Sequence, residues 1–146
     1  MNPTKVCLRP AIQEDVPFLM ELRRQTMHPH LLASGLIPSF EEDMRRVLFR
    51  LDCAQVILLA NQPVGLLKVS RDADEWDLIQ IQLAPSLQGQ GFGAQLIESV
   101  ISEARYAGAS LKLDVLKANP ACRLYERLGF TVIAETAHLF EMRLKS

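Results

Sequence analysis

The stretch from Trp76 to Ala107 constrains the fold most, because it combines a strand pattern, a glycine-rich turn and a helix pattern. Residues 77–83 predict a strand, and the turn that follows has the sequence Gln88-Gly89-Gln90-Gly91-Phe92-Gly93. From Ala94 onward, apolar residues recur at helical spacing and share one face, made of Leu96, Ile97, Val100, Ile101 and Ala104. The stretch therefore predicts a strand that leads through a glycine-rich turn into an amphipathic helix.

The glycine-rich turn has the properties of an anion-binding site. The start of a helix leaves several backbone N–H groups without partners, and the helix dipole adds partial positive charge there. Glycines allow an anionic group to approach that backbone closely. The first acidic residue after Gly91 is Glu98, well inside the helix, although acidic residues usually favour the first turn. These features favour a phosphate site, and an ordinary strand–turn–helix connection is the alternative.

Two nucleotide-binding motifs compete for this turn, and neither fits well. Residues 89–94 match the dinucleotide fingerprint, with alanine in its third small position. That fingerprint directly follows its strand, whereas several residues separate Leu83 from Gly89, and little chain follows Leu116 for further βα units. The P-loop is excluded because no Lys-Ser or Lys-Thr pair follows the glycines. A dinucleotide-dependent enzyme is therefore a weaker interpretation.

A third match covers about half of the chain and is more specific. The pattern Gln88-x-x-Gly91-x-Gly93 resembles the coenzyme A loop of the GNAT superfamily of N-acetyltransferases. A second block, Asn119-Pro120-Ala121-Cys122-Arg123-Leu124-Tyr125-Glu126-Arg127-Leu128-Gly129-Phe130, is similar to the asparagine-to-tyrosine helix of the same family. The chain departs from the family at Gln90, where an arginine is common. Binding of the pyrophosphate would therefore depend more on backbone amides.

The composition of the chain limits which classes of partner and which cellular compartment are expected. The length of 146 residues predicts one domain, 1–146, and the net charge of −1 comes from 16 basic and 17 acidic residues. No basic run occurs, so neither a nucleic acid nor a membrane surface is an expected partner, and no apolar run is long enough to span a bilayer. The N-terminus has no apolar signal region, and the odd, scattered cysteines lack a Cys-x-x-Cys pair. We expect a cytoplasmic protein; a homodimer stays open.

The chain in order predicts the element sequence β-α-α-β-β-β-α-β-α-β-β. A first helix follows Asp15 and runs to about Gln25, and a second runs from Phe40 to about Leu51. Residues 26–39 predict an apolar loop that either packs over the core or forms a wall of an acceptor pocket. The fold class is α+β, with a mostly antiparallel central sheet, flanking helices and one parallel βαβ crossover. The resemblance implies that the two parallel strands splay apart into a cofactor cleft.

The resemblance also implies an activity: transfer of an acetyl group from acetyl-CoA to a primary amine, by direct attack in a ternary complex. The acceptor is a small-molecule or peptide amine that the sequence does not identify. No metal is expected, because His28-x-His30 has no evident third ligand. The residues that the resemblance assigns to coenzyme A binding are Ile81, Leu83, Gln88, Gly89, Gln90, Gly91, Phe92, Gly93, Asn119 and Tyr125.

Three residues are catalytic candidates. In the family a bulge in the central strand frees a backbone N–H for the thioester oxygen, and matching of positions puts this group at Leu83. Tyr125 matches the tyrosine that protonates the leaving sulfur. Asp77 lies near the place where some relatives carry a basic glutamate, and it shares a face with Leu83 unless the bulge changes the parity of the strand. Alternatives for the base are Glu75, His28 or a chain of water molecules.

Two further hypotheses follow from the same residues. The strand glutamines Gln80 and Gln82 share one face, where they either contact the acceptor or satisfy polar groups of the first helix. The fold could also hold an acyl-CoA as a ligand or sensor without turnover. Such a binding module would be stabilised by coenzyme A but would release no thiol.

Overall fold

The computed structural model describes residues 5–144, which form one seven-stranded sheet with helices on both faces. The strand order is β1-β2-β3-β4-β5-β7-β6. In chain order the elements are β1 Val6–Pro10, α1 Val16–Ala33, α2 Phe40–Leu48, β2 Ala54–Leu59, β3 Gln62–Ser70, β4 Glu75–Leu83, α3 Phe92–Ala107, β5 Ser110–Leu116, α4 Ala121–Arg127, β6 Phe130–Glu135 and β7 Leu139–Leu144. The predicted order of helices and strands is confirmed.

The sheet is mixed, as predicted, and its one parallel pair sits at the centre. β4 and β5 run parallel, whereas all the other neighbouring strands are antiparallel. Because the strands of a parallel pair cannot be joined by a tight hairpin, the chain crosses from β4 to β5 through α3. The α+β fold class with one βαβ crossover is therefore confirmed.

Two apolar cores cover the two faces of the sheet. The larger core packs α3 and α4 against the sheet and includes Ile97, Val100 and Ala104 from the predicted apolar face of α3. The smaller core packs α1 and α2 against the other face, through Leu19, Leu22 and Val47 among others. The sheet thus separates a side covered by α3 and α4 from a side covered by α1 and α2.

The first helix is longer than its sequence pattern predicts. We expected a loop after Gln25, but α1 continues to Ala33 and contains Pro29. A proline inside a helix removes one hydrogen bond and costs about 3 kcal/mol. Other contacts offset that cost: Nε2 of His28 donates to the buried carboxylate of Asp43, and Oγ of Ser34 donates to the carbonyl of His30 at the end of the helix. Two smaller differences are that α3 begins at Phe92 rather than Ala94 and that α2 ends at Leu48 rather than at about Leu51.

A fully buried lysine fastens the end of α2 to the sheet. Lys68 on β3 has no exposed surface, and its Nζ donates to the carbonyls of Arg46, Val47 and Phe49 at 3.0, 3.3 and 2.6 Å. These carbonyls have no intrahelical partners at a helix C-terminus, so an ammonium group satisfies them. Burial, together with the positive charge of Arg23, lowers the pKa of Lys68 to about 8.

A bulge in β4 reverses which side chains face which core. Asp77 pairs with Ser70 and Leu78 with Val69, but from Gln80 onward the register with β3 is shifted by one residue, so that Ile79 is the extra residue. Before the bulge Leu78 belongs to the core under α3, and after it Leu83 does. The bulge therefore changes the parity of the strand. Asp77 lies on the α1 and α2 side with Gln80 and Gln82, opposite to the face of Leu83.

Candidate functional site

A cleft opens where β4 and β5 separate. The two strands are paired only between Glu75–Asp77 and Ser110–Lys112, and beyond these residues they diverge. The resulting cavity of about 660 Å³ is bounded by residues 77–82 of β4 and 113–116 of β5, and by α1, α2 and the β6–β7 turn. The splayed cofactor cleft that the resemblance implied is therefore present, and it reaches the side covered by α1 and α2.

The backbone of the glycine-rich turn is free to bind a ligand. Within residues 5–144, none of the N–H groups of residues 89–94 has a hydrogen-bond acceptor. The side chain of Gln90, at the position where the family often has arginine, donates instead to the carbonyl of Ser86 at 2.9 Å. Donors of the turn and of the first turn of α3 thus remain available to an anion.

Glycine is required in this turn by its conformation. Gly89 and Gly91 have φ angles of +77° and +86°, in the left-handed region that side chains disfavour. A Cβ atom at either position would have no atom within 4 Å, so each faces open space. At these two glycines no side chain covers the backbone, which suits close approach of a diphosphate.

The N–H of Leu83 points into the gap between the strands. A Cβ on Gly65 would lie 2.4 Å from the carbonyl oxygen of Gln82, so that oxygen faces β3. Because the two ends of a trans peptide point in opposite directions, the N–H of Leu83 faces away from β3, where β5 has diverged. The carbonyl of Leu83 also faces away and accepts from Nε2 of Gln88 at 3.1 Å, which ties the strand to the turn.

The expected bulge is displaced from the expected donor. The resemblance implied a bulge that frees the N–H of Leu83. The register shift between β3 and β4 lies instead at Ile79. The N–H of Leu83 is directed to the gap by ordinary strand alternation, since Ala84 N donates to the carbonyl of Val64 at 2.8 Å. By the same alternation, the N–H of Ile81 is directed to the gap as well. Both N–H groups are candidates for the donor, and neither lies at the bulge itself.

Tyr125 and Asn119 line the cleft from its α4 side. Tyr125 is buried, packs edge-to-face on Phe130 with 5.8 Å between ring centroids, and its hydroxyl has no hydrogen-bond partner among the described residues. Burial raises the pKa of Tyr125 to about 12, so the phenol stays protonated at neutral pH. The Asn119 side-chain oxygen accepts from the N–H of Ala121 at 2.9 Å, which starts the helix that carries Tyr125.

Of the candidate bases, Asp77 is the one that lines the cleft. It is half-buried, and burial raises its pKa above the ordinary carboxyl range, with a further rise from Asp114 and an opposing effect from Lys112. Glu75 is exposed and pairs with Arg143 at 2.9 Å. His28 bonds to Asp43 at 2.7 Å on the far side of α1. A carboxylate with a raised pKa has the chemistry that a general base needs.

The α1 wall of the cleft holds a charged group that the sequence pattern did not reveal. Arg23 is 4% exposed, and its Nε donates to Asp43 at 2.7 Å. The buried positions Leu19, Leu22 and Thr26 of α1 share its buried face, so a charge at this spacing was the available signal. Residues 31 and 36–38 also line the cleft, which supports the pocket-wall alternative for the segment predicted as a loop.

Three features of the site match the chemical groups of a coenzyme A thioester. The unpaired N–H groups at residues 89–94 fit an anion, the gap fits a narrow arm, and the N–H of Leu83 fits a carbonyl oxygen at the end of that arm. Over the described part of the chain, no group of three or more His, Cys, Asp or Glu side chains is arranged to hold a metal ion. Across the same residues, no helix combines the length and the hydropathy needed to cross a membrane.

Comparisons with known proteins agree with this geometry. The sequence is 35% identical over 74 residues to the ribosomal protein bS18-alanine N-acetyltransferase of Haemophilus influenzae, and the match spans 50% of this chain and about half, 51%, of that enzyme. The PaiA N-acetyltransferase of Thermoplasma acidophilum, solved in complex with coenzyme A, superposes with a TM-score of 0.77 at 17% identity, over 98% of this chain and 100% of that one. The ribosomal-protein-S18-alanine N-acetyltransferase of Escherichia coli gives 0.71 at 21% identity, over 96% and 93%.

The family assignment rests on a sequence model rather than on the shared fold. The model of the GNAT acetyltransferase domain matches residues 52–132, more than half of the chain. These residues run from before β2 to β6 and contain both the glycine-rich turn and Tyr125. The chain therefore belongs to the GNAT acetyltransferase family.

Proposed function

We propose that this protein is an N-acetyltransferase that transfers the acetyl group of acetyl-CoA to a primary amine within a ternary complex. The single observation that carries the proposal is the set of unpaired N–H groups at residues 89–94 beside the gap between β4 and β5. These groups would hold the diphosphate, and the gap would admit the pantetheine arm with the help of Asn119. Several relatives are N-acetyltransferases, and one was solved with coenzyme A, which supports the same donor here.

The chain offers a group for each requirement of amide formation. As the amine attacks, the C–N bond forms, the C–S bond breaks and negative charge develops on the carbonyl oxygen. The N–H of Leu83, with that of Ile81 nearby, would stabilise this charge. Asp77 would accept the proton that the amine loses, directly or through water, since its raised pKa brings it closer to neutral pH.

Tyr125 would act on the leaving sulfur, mainly as a hydrogen-bond donor. Its pKa of about 12 lies above the value near ~8.5 of a free thiol, so full proton transfer to a solvated thiolate is uphill. The same burial that raises the pKa of the phenol would raise the pKa of a thiol beside it, which reduces the difference. The unpartnered hydroxyl of Tyr125 is therefore suited to stabilise the thiolate as it forms.

The proposal also covers the compartment of the protein and the class of its acceptor. Cys7, Cys53 and Cys122 are all free thiols, which agrees with a reducing compartment, and we propose the cytoplasm. The chain would act as one GNAT domain. Its acceptor would be a small-molecule or peptide amine, as the ribosomal-protein acetyltransferases among the relatives suggest in the peptide case.

The direct test is release of free thiol from acetyl-CoA in the presence of a panel of primary amines. We expect turnover with at least one class of amine, and a large loss in Tyr125→Phe. Thermal stabilisation by coenzyme A without thiol release from any amine would instead identify a binding or sensing module of the same fold. Absence of both stabilisation and turnover would reject the donor and the activity together. Stabilisation by NAD but not by coenzyme A would favour a dinucleotide site.

A further inference from the structure

The α1 and α2 side of the cleft contains a buried amide without partners. The side chain of Gln82 is on a residue only 4% exposed, and neither its Nε2 nor its Oε1 has a hydrogen-bond partner within residues 5–144. An unsatisfied buried donor or acceptor costs about 1–3 kcal/mol. Gln82 lines the cleft, so rotation of its side chain toward the cleft would let a bound molecule satisfy both atoms. The amide needs an acceptor for its nitrogen and a donor for its oxygen.

A guanidinium with a free edge lines the same cleft. The Arg23 Nε donates to Oδ1 of Asp43 at 2.7 Å, and Oδ2 of Asp43 bonds to Nε2 of His28 at 2.7 Å. In the part of the chain that is described, Nη1 and Nη2 of Arg23 have no partner. Asp43, itself held by His28, thus fixes the guanidinium plane and leaves the two-nitrogen fork open. This fork matches the geometry of a carboxylate.

Charge and packing decide which ligand fits these two groups. Lys68 adds a second buried positive charge near Arg23, whose own charge helps to lower the pKa of Lys68. A cationic group beside the fork would therefore be repelled, and a neutral amide would satisfy Gln82 but leave the fork unpaired. Asp77 lies on the same face of β4 as Gln82, where an amine would be received. This wall thus favours a carboxylate at Arg23, with an amine beside Gln82 that reaches Asp77 through water.

We infer that the acceptor is an amine that carries a carboxylate close to it, in the simplest case a free α-amino acid. The carboxylate would bind the fork of Arg23 and accept from Nε2 of Gln82, while the amine would donate to Oε1 of Gln82 and pass its proton through water to Asp77, which lies farther along the same face of β4. This inference rests on the proposed function and narrows its acceptor. It distinguishes a free amino acid from the N-terminal residue of a peptide, in which a neutral amide takes the place of the α-carboxylate.

The test compares matched acceptors that differ only in the carboxylate. Alanine, leucine, phenylalanine and glutamate are each assayed beside their C-terminal amides, with phenethylamine as the decarboxylated partner of phenylalanine. We expect kcat/KM for the better amino acids to exceed that of their amides by at least about tenfold, since a site built for a polar group rejects the analogue that lacks it. Two short peptides, one beginning with glutamate and one with alanine, test whether a side-chain carboxylate can substitute.

Variants assign the preference to the two groups. Arg23→Gln should reduce the acid-to-amide ratio to about one and raise KM for amino acids, with the affinity for coenzyme A unchanged. Arg24→Gln is the matched control, because Arg24 follows on the same helix but is exposed and pairs with Glu21. If Arg23→Gln does not fold, Gln82→Met serves instead, because it removes only the amide at similar volume. It should lower kcat/KM for amino acids by about tenfold or more.

Two outcomes overturn the inference, and they differ from failure of the proposed function. Equal kcat/KM for acids and amides in the wild type, or an unchanged ratio in Arg23→Gln, would show that the fork does not read a carboxylate. No thiol release with any amine would reject the function instead. In that case the thermal shift caused by N-acetylalanine is compared with that of N-acetylalaninamide, both with coenzyme A present; a larger shift with the acid supports the anion site, and equal shifts reject it.

Discussion

Replacement of Gly91 by alanine tests the anion site at the turn. Gly91 is the residue before α3, with φ +86° and ψ −1°. An alanine in the left-handed region costs about 1–2 kcal/mol of conformational energy. Its methyl group would meet no atom within 4 Å, so it would extend into the space above the unpaired N–H groups. The substitution therefore adds backbone strain and places a methyl group where the diphosphate is proposed to bind.

Gly108 provides a control for the strain alone. It ends the same helix, has φ +70°, and a Cβ there also has no neighbour within 4 Å. Gly108→Ala and Gly91→Ala should therefore each lower the free energy of unfolding by about 1–2 kcal/mol. Because Gly108 is at the opposite end of α3 from the turn, its methyl group cannot contact a ligand held at residues 89–94.

Calorimetric titration with coenzyme A separates the two effects. We expect Gly91→Ala to raise the dissociation constant at least about tenfold, which corresponds to about 1.4 kcal/mol, and Gly108→Ala to change it by less than about twofold. Urea denaturation of both variants confirms that the strain is matched. If the two variants bind coenzyme A equally well, the diphosphate does not rest on this turn, and the assignment of the site would be refuted.

Three further predictions concern side chains. Tyr125→Phe should lower kcat by about 10²-fold or more with little change in KM, as steady-state kinetics would measure. It should leave the free energy of unfolding, measured by denaturation, within about 0.5 kcal/mol, because the lost hydroxyl has no partner in residues 5–144. An unchanged kcat would show that Tyr125 has no catalytic role. The raised pKa of Asp77 predicts that kcat/KM falls as the pH is lowered toward that pKa, because the protonated acid cannot act as base; Asp77→Asn should be much slower and lack this acid limb in a pH–rate profile, and persistence of the limb would assign it elsewhere. For Lys68 the pKa in the folded protein, about 8, lies below the ordinary value of 10.5, so between these values the unfolded chain binds more protons than the folded one. The free energy of unfolding should therefore rise with pH across that window, by up to about 3 kcal/mol relative to Lys68→Met. Parallel curves of unfolding free energy against pH for the two proteins would contradict the pKa shift.

Local patterns were sufficient for most of the fold and for one half of the site. The apolar spacing of α3, the helical pattern from Phe40 in α2 and the turn sequence at residues 88–93 are signals within a few residues, and each led to a correct element. Free N–H groups at a helix start are also a local property, since they follow from helix geometry itself. The cofactor side of the cleft was therefore open to prediction from the chain alone.

The errors occurred where tertiary contacts override local preference. The sequence pattern predicted that the first helix ends at about Gln25, yet α1 continues past Pro29 because its far end packs along the cleft and His28 bonds to Asp43 on α2. The bulge at Ile79 is a property of the pairing between β3 and β4, and neither strand shows it in its own sequence. This bulge places Asp77 and Gln82 on the same face of the strand, whereas simple alternation would place them on opposite faces.

The sequence by itself determined a strand, a turn and a helix whose backbone can receive an anion, because hydrogen-bonding capacity at a helix start depends only on neighbouring residues. Only the tertiary structure decided what surrounds the reacting end of that ligand. Arg23, Asp43, Asp77 and Gln82 come from α1, α2 and β4, and their contacts form when these elements pack together. Burial then determines which of their atoms lack partners and how the pKa of Asp77 shifts, since both depend on the distance to water.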